Sequence, residues 1–295
     1  GHGLPARRER GAMSSSRSPL RLVFTDLDGS LLDHQTYSFL DALPQLHTLE
    51  RMDIPLIPAS SKTRVEIEFL RAELGNVHPF IAENGAAVFV PCGYFVNQPD
   101  GTVERDGYWV HELAPGRDRW LDLLQEIYRE FPDEFDHFHR SGIDGIVRMT
   151  GLSQARAAEA NRREYSEPVQ WLGTPERRAQ FLARLQDAGA TVLQGGRFLS
   201  VAGDCDKGRA LAWLRDIYCR CRTTDICHDL AVGDSRNDCA MLEVAETALI
   251  IRSPVHDPPA LRRQEGVILS RDYGPAGWAE GVARWLAGQH SQTTQ

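Results

Sequence analysis

The chain has 295 residues, 42% of them hydrophobic, and a net charge of −8 from 33 Lys and Arg against 41 Asp and Glu. That acidic balance, with a pI of about 5.7, excludes a general nucleic-acid surface, which requires a basic stripe, and means that an anionic ligand would need a local positive site. The length allows one large globular unit or two moderate ones, and no stretch approaches the roughly 18 apolar residues of a membrane span.

No apolar signal segment is read near the N-terminus, and the six cysteines are too sparse for a disulfide framework. A reducing, cytoplasmic setting is expected, with neither membrane nor nucleic acid as partner. Residues 1–18, rich in Gly, Arg and Ser without periodicity, are expected to be a disordered tail.

The β-prone run LRLVFT (20–25) reads as a strand buried on both faces. SFLDALPQLHTLERM (38–52) repeats apolar residues at helical spacing; IPLIPAS (54–60) reads as a second strand despite its prolines, and TRVEIEFLRAELG (63–75) as a helix closed by Gly75. Two short β runs follow, PFIAEN and AAVFVP. The pattern then turns mixed, with Trp109, a polar helix around 117–131 and the stretch DGIVRMTG. TPERRAQFLARLQDAG is helical, and TVLQGG and RFLSVAG form a hairpin around Gly195 and Gly196. After Lys207 the alternation resumes: a helix at 208–218, the strand DLAVG, a helix near 237–246, the strand ALIIR and a terminal helix near 277–287. This layout predicts an α/β fold, a doubly wound parallel-sheet core from 19–92 and 202–290, with an inserted α+β unit at 93–201.

Chemistry concentrates at the ends of the predicted strands. Asp26 and Asp28, in FTDLDGS, stand where α/β folds place their ligand crevice, and on extended backbone residues two apart project to one side. Converging carboxylates repel unless a cation or shared proton intervenes. LAVGDSRND supplies Asp234 after another apolar strand and Asp238 four residues on. Asp26, Asp28 and Asp234 would make an all-oxygen pocket suited to magnesium (Mg2+), with Asp238 orienting or supplementing them. Ser60 and Ser61, where a strand meets a helix, offer a hydroxyl and backbone N–H groups to an anion, and Lys207 adds a positive charge before another helix. Taken singly, GDSRND also describes a capped helix start, SSK an ordinary cap and Lys207 a solvated lysine. The cluster Cys219, Cys221, Cys227 and His228 lacks the usual paired zinc spacing and is expected to be ordinary thiols near a helix end.

In this order, D-x-D-G, a Ser after the second strand, a later Lys and G-D-x-x-N-D resemble the haloacid dehalogenase-like phosphohydrolase superfamily, over about residues 20–285. IPLIPASSKTRVEIEFLRAELG, PFIAENGAAVFVP, VGDSRND and the late GPAGWAEGV are more closely similar to its mannosyl-3-phosphoglycerate phosphatase family. Ser30 departs from the Thr that commonly follows D-x-D-G.

The resemblance implies that Asp26 attacks phosphorus, that Asp28 protonates the leaving oxygen and then activates water, and that magnesium is held by Asp26, the Asp28 carbonyl and Asp234. It implies that Ser60 and Lys207 grip the phosphoryl oxygens and that the inserted unit closes as a cap. Ser61, Lys62, Glu83, Asn84 and Asn237 in the core, and His139, Arg148 and Arg197 in the cap, are the candidates for contacting a phosphorylated sugar-glycerate substrate. A broader sugar-phosphate phosphatase, a phosphomutase and a non-catalytic binding module stand as alternatives.

Overall fold

The structure, a computed structural model, describes residues 19–289, so the tail expected at 1–18 lies outside it. β1 (Leu20–Thr25), α1 (Leu43–Arg51), β2 (Leu56–Pro58) and α2 (Arg64–Leu74) give the expected opening alternation, with Gly75 closing α2 in the left-handed conformation. β3 (Phe80–Ala82) and β4 (Ala87–Pro91) follow, then β5 (Val103–Arg105) and β6 (Tyr108–Glu112). The middle of the chain carries α3 (Asp118–Ile127), β7 (Phe135–His137), α4 (Phe138–Thr150), α5 (Gln154–Ala160), β8 (Glu167–Trp171), α6 (Pro175–Asp187), β9 (Thr191–Gln194) and β10 (Leu199–Ala202). The chain ends with α7 (Lys207–Arg222), β11 (Cys227–Gly233), α8 (Cys239–Val244), β12 (Thr247–Arg252), β13 (Val267–Tyr273) and α9 (Gly274–Leu286).

The central sheet runs β13-β12-β11-β1-β2 and every pairing in it is parallel. From β1 the chain builds outward to β2 on one side and later to β11, β12 and β13 on the other. The strand order therefore reverses between β1 and β11, where open α/β sheets form their ligand crevice. Apolar clusters cover both faces of this sheet: Leu230, Leu249, Trp278 and Val282 belong to one, and Phe24, Ala210, Leu214 and Met241 to the other. Among the described residues no helix is long and apolar enough to cross a membrane.

Two antiparallel sheets complete the fold, in orders β3-β4-β6-β5 and β7-β8-β10-β9. The first shares the core's clusters through Phe89, Tyr108, Trp109 and Val110, so the sequence division at residue 93 falls inside this sheet. Its missed hairpin carries a legible signal, Asp106-Gly107, both at positive φ. The second sheet has its own core of Trp120, Leu124, Phe135, Val169, Phe181 and Leu199. β13 buries Ile268 and Ser270 between half-buried neighbours and ends in three exposed residues, as an edge strand can, which hides it from a search for apolar runs.

The late GPAGWAEGV segment has a packing reason. It forms the first turns of α9, where a Cβ on Gly281 would come within 2.3 Å of Leu249, and where the fully buried Trp278 donates its indole N–H to Thr25 Oγ1 at 2.9 Å. Thr25 Oγ1 in turn donates to the Asp26 carbonyl at 2.7 Å. The helix thus buttresses the strand end that presents Asp26. Replacing Trp278 by Ala is expected to lower stability by about 3–5 kcal/mol, read as a shift in the urea midpoint with unchanged slope; a cost below about 1 kcal/mol would contradict this role.

Candidate active site

The Asp26 backbone N–H donates to the Val232 carbonyl at 2.8 Å, continuing the β1–β11 ladder and bringing Asp26 beside the strand end that carries Asp234. Lys207, fully buried at the start of α7, donates from Nζ to Asp26 Oδ1 at 3.1 Å and to Asp238 Oδ1 at 2.7 Å. Asp238 Oδ2 accepts the N–H groups of Asp234 at 3.0 Å and Ser235 at 3.1 Å. Both oxygens of Asp238 are therefore engaged within the protein, which makes it an orienting residue for Lys207 and the Asp234 loop. Asp234 Oδ1 accepts from the buried Ser30 hydroxyl at 3.4 Å. Gly29 is required beside it: φ is +80°, and a Cβ there would stand 2.6 Å from Asp234 Oδ2.

Ligand oxygens of Asp26, Asp234 and Asp238 lie within 4.8 Å of one another, the one such group among the described residues. Burial, repulsion by Asp238 and then by Asp234 hold the Asp26 carboxyl well above the usual carboxylate range, against the attraction of Lys207. Asp234 is raised by the same two causes, burial and Asp238. Burial alone would lower the Lys207 ammonium, but Asp238 and Asp26 outweigh it and its pKa stands above the ordinary lysine value. One ammonium thus faces three carboxylates in a closed space. This charge deficit and the all-oxygen donor set fit a hard divalent cation at Asp26 and Asp234.

Asp28 points elsewhere. Its Oδ2 is 3.2 Å from Lys62 Nζ, while Oδ1 is buried without a hydrogen-bond partner. Its side chain is not in the carboxylate group above, so only its backbone carbonyl is left to join a metal site. Ser60, buried after β2, follows Ala59, whose N–H donates to Thr25 O at 2.8 Å, so it lies at the same end of the sheet as Asp26. Its Oγ accepts from Lys62 N at 3.1 Å. The helix end expected to seat an anion here is partly occupied by its own capping box: Thr63 Oγ1 accepts from Glu66 N, and the Glu66 carboxylate accepts from Thr63 N. The hydroxyls of Ser60 and Ser61 stand among the donors toward an anion, whereas the Lys62 ammonium already faces Asp28 and Glu66.

The remaining candidates divide. Asn84 Oδ1 accepts from Asn237 Nδ2 at 3.0 Å, which ties the loop after β3 to the Asp234 loop. Glu83 is fully engaged elsewhere. Its buried carboxylate accepts the N–H groups of Glu164, Tyr165 and Ser166 and the Ser166 hydroxyl at 2.7–3.2 Å, and so fastens the segment leading into β8 to the core. His139 lines a cavity of about 400 Å3 with Arg105, Arg117, Arg163 and Tyr165. Arg148 lies in the last turn of α4, and Arg197 reaches Thr150 O at 3.4 Å from the β9–β10 hairpin. The structure does not gather these three into one site. Among residues the sequence reading passed over, His256 Nε2 lies 3.5 Å from Asp234 Oδ2 beside a cavity of about 480 Å3. Its loop follows β12, and position at a strand's carboxyl end is the one signal that could have marked it. In the cysteine cluster, His228 Nδ1 lies 2.8 Å from Glu246.

No family model matches the chain. It is 34% identical over 267 residues, 88% of this chain and 95% of the relative, to the glucosyl-3-phosphoglycerate/mannosyl-3-phosphoglycerate phosphatase of Methanococcoides burtonii. It is 34% identical over 274 residues, 90% of this chain and 97% of the relative, to the protein of the same name from Persephonella marina. A solved phosphatase of the haloalkanoate (HAD) superfamily from Bacteroides thetaiotaomicron has the same fold at 16% identity, with a TM-score of 0.61 over 95% of this chain and 98% of that one. The chain is thus a phosphoric monoester hydrolase and belongs to the glucosyl-3-phosphoglycerate/mannosyl-3-phosphoglycerate phosphatase family.

Proposed function

We propose that the protein is a magnesium-dependent phosphatase that hydrolyses mannosyl-3-phosphoglycerate, or its glucosyl counterpart, to the glycosylglycerate and phosphate through an aspartyl-phosphate on Asp26. The observation that carries this reading is the buried Lys207 held between Asp26 and Asp238 at the switch point of the sheet. The relatives' names supply the substrate class. The free cysteines and the lack of a membrane-spanning helix among the described residues are consistent with a cytoplasmic enzyme.

In this mechanism the Asp26 carboxylate attacks phosphorus in line and the bond to the glycerate oxygen breaks. Asp28, held apart from the nucleophile by its contact with Lys62, gives its proton to that departing oxygen. It then takes a proton from the water that hydrolyses the acyl phosphate and restores Asp26. Lys207 and the Ser60 hydroxyl receive the transferring oxygens, and Asp238 fixes the lysine in place. A magnesium ion held by Asp26, the Asp28 carbonyl and Asp234 supplies the charge neutralisation that lets a carboxylate approach a phosphate dianion. The unit from about residue 115 to 202 acts as the cap, fastened through Glu83 and covering the crevice while the intermediate exists.

Phosphate release from glycosyl-3-phosphoglycerates and from common hexose phosphates, with magnesium, tests this directly. The glycosyl-3-phosphoglycerates are expected to lead by about a hundred-fold or more in kcat/KM, with Asp26→Asn inactive and Ser60→Ala reduced by about a hundred-fold. Equal turnover of hexose phosphates would leave a broad phosphatase.

The raised carboxyls give a second test. In metal-free protein the folded cluster keeps protons that the unfolded chain releases from about pH 4 upward, so stability falls as pH rises. A divalent cation binds the deprotonated cluster and offsets this loss. Magnesium is expected to raise Tm by about 3 °C or more near pH 7.5 and by less near pH 5.5, and Asp234→Asn should remove the effect. An equal shift at both pH values would contradict the assigned site.

A further inference from the structure

Two cations from different parts of the chain meet one aromatic ring on the Asp28 side of the crevice. Lys62 Nζ lies 5.7 Å from the centroid of Tyr37, and Arg156 Cζ, on α5, lies 5.6 Å from the same centroid. Lys62 is already matched by Asp28 at 3.2 Å and Glu66 at 3.8 Å. Arg156 is not: among the described residues its guanidinium has no carboxylate or carbonyl partner, and the ring is its one contact. The arrangement is held from all three sides. Tyr37 sits at φ 59° in a loop that Asp33 pins by accepting the N–H groups of Gln35 at 2.9 Å and Thr36 at 2.8 Å. α5 is fastened to the Lys62 loop by Thr63 Oγ1 donating to Glu159 O at 3.1 Å, and Arg163 donates to Ser61 O at 2.8 Å.

We infer that Arg156 and Lys62, with Tyr37 between them, form the site for the carboxylate of the glycerate moiety that departs. The inference rests on the function proposed above and names the group by which the substrate is told from sugar phosphates that carry no carboxylate. In a 3-phosphoglycerate the carboxylate carbon is three bonds from the oxygen that leaves. Since Asp28 protonates that oxygen, the carboxylate comes to rest near Asp28, which is negatively charged once its proton is given and then repels it. Lys62, neutralised by Asp28 and Glu66, cannot supply the balancing charge alone, and the unmatched guanidinium of Arg156 does so in a fork suited to carboxylate. A substrate lacking the carboxylate leaves this pair unused.

Calorimetric binding of 3-phosphoglycerate and of glycerol 3-phosphate, in Asp26→Asn protein with magnesium, separates the carboxylate from the rest of the ligand without turnover. The parent is expected to bind 3-phosphoglycerate about tenfold or more tightly than glycerol 3-phosphate. Arg156→Leu should erase that preference while leaving glycerol 3-phosphate binding unchanged, Tyr37→Leu should weaken it, and Arg156→Lys should restore part of it. Arg156 and Tyr37 are exposed, so the variants are expected to melt as the parent does. A parent without preference, or a preference that survives Arg156→Leu, overturns the inference. Should the preference follow Arg156 while glycosyl-3-phosphoglycerates release no phosphate from the wild type, the carboxylate site stands and the proposed reaction fails.

Discussion

A single buried ammonium, Lys207 Nζ, lies between the carboxylates of Asp26 and Asp238, and the rest of the crevice is arranged around the negative charge it leaves uncompensated. Burying a lysine completely is costly unless it is paired, and here two carboxylates hold it charged. The pairing consumes Asp238, whose other oxygen is taken by backbone N–H groups. Asp26 and Asp234 are left with too little positive charge nearby, and burial first, then the charge of Asp238, raises the pKa of both. A site built this way is unfavourable to itself when empty and favourable to a cation and a phosphoryl group together.

Topology makes the arrangement possible. Because the parallel sheet reverses its order between β1 and β11, two strand ends point into one crevice, and the chain turns away from each without covering the other. The loops that follow are tied together. Asn84 joins Asn237, Glu83 collects the N–H groups of residues 164–166, and Thr63 reaches the carbonyl of Glu159. The loop after β3 is thus one of the mechanical links between the core and the middle unit.

Much of this was legible in the sequence. Parallel strands buried on both faces are apolar runs, so β1, β11 and β12 declare themselves, and Asp26 and Asp234 are found because they follow such runs directly, with Asp238 four residues on. Asp28 and Lys62 were named, but not that they pair. The antiparallel elements were harder: β5, β7 and β8 are short, and β13 is an edge strand with mixed burial. Side-chain destinations in the middle unit were illegible in principle. Glu83 resembled a substrate contact by its place beside the crevice, yet its partners are backbone N–H groups some 80 positions away, which no local pattern encodes. Arg156 and Tyr37 went unread for the same reason, since they meet only through the packing of α5 on the core.

The central claim, that Asp26 carries the phosphoryl group, is tested most directly by trapping that species. Rapid acid quench of the wild-type protein during turnover of 32P-labelled mannosyl-3-phosphoglycerate with magnesium should leave label on the protein. Borohydride reduction of the trapped protein should convert residue 26 to homoserine, located by peptide mass. Phosphate release without protein-bound label, or homoserine at another aspartate, would contradict the account.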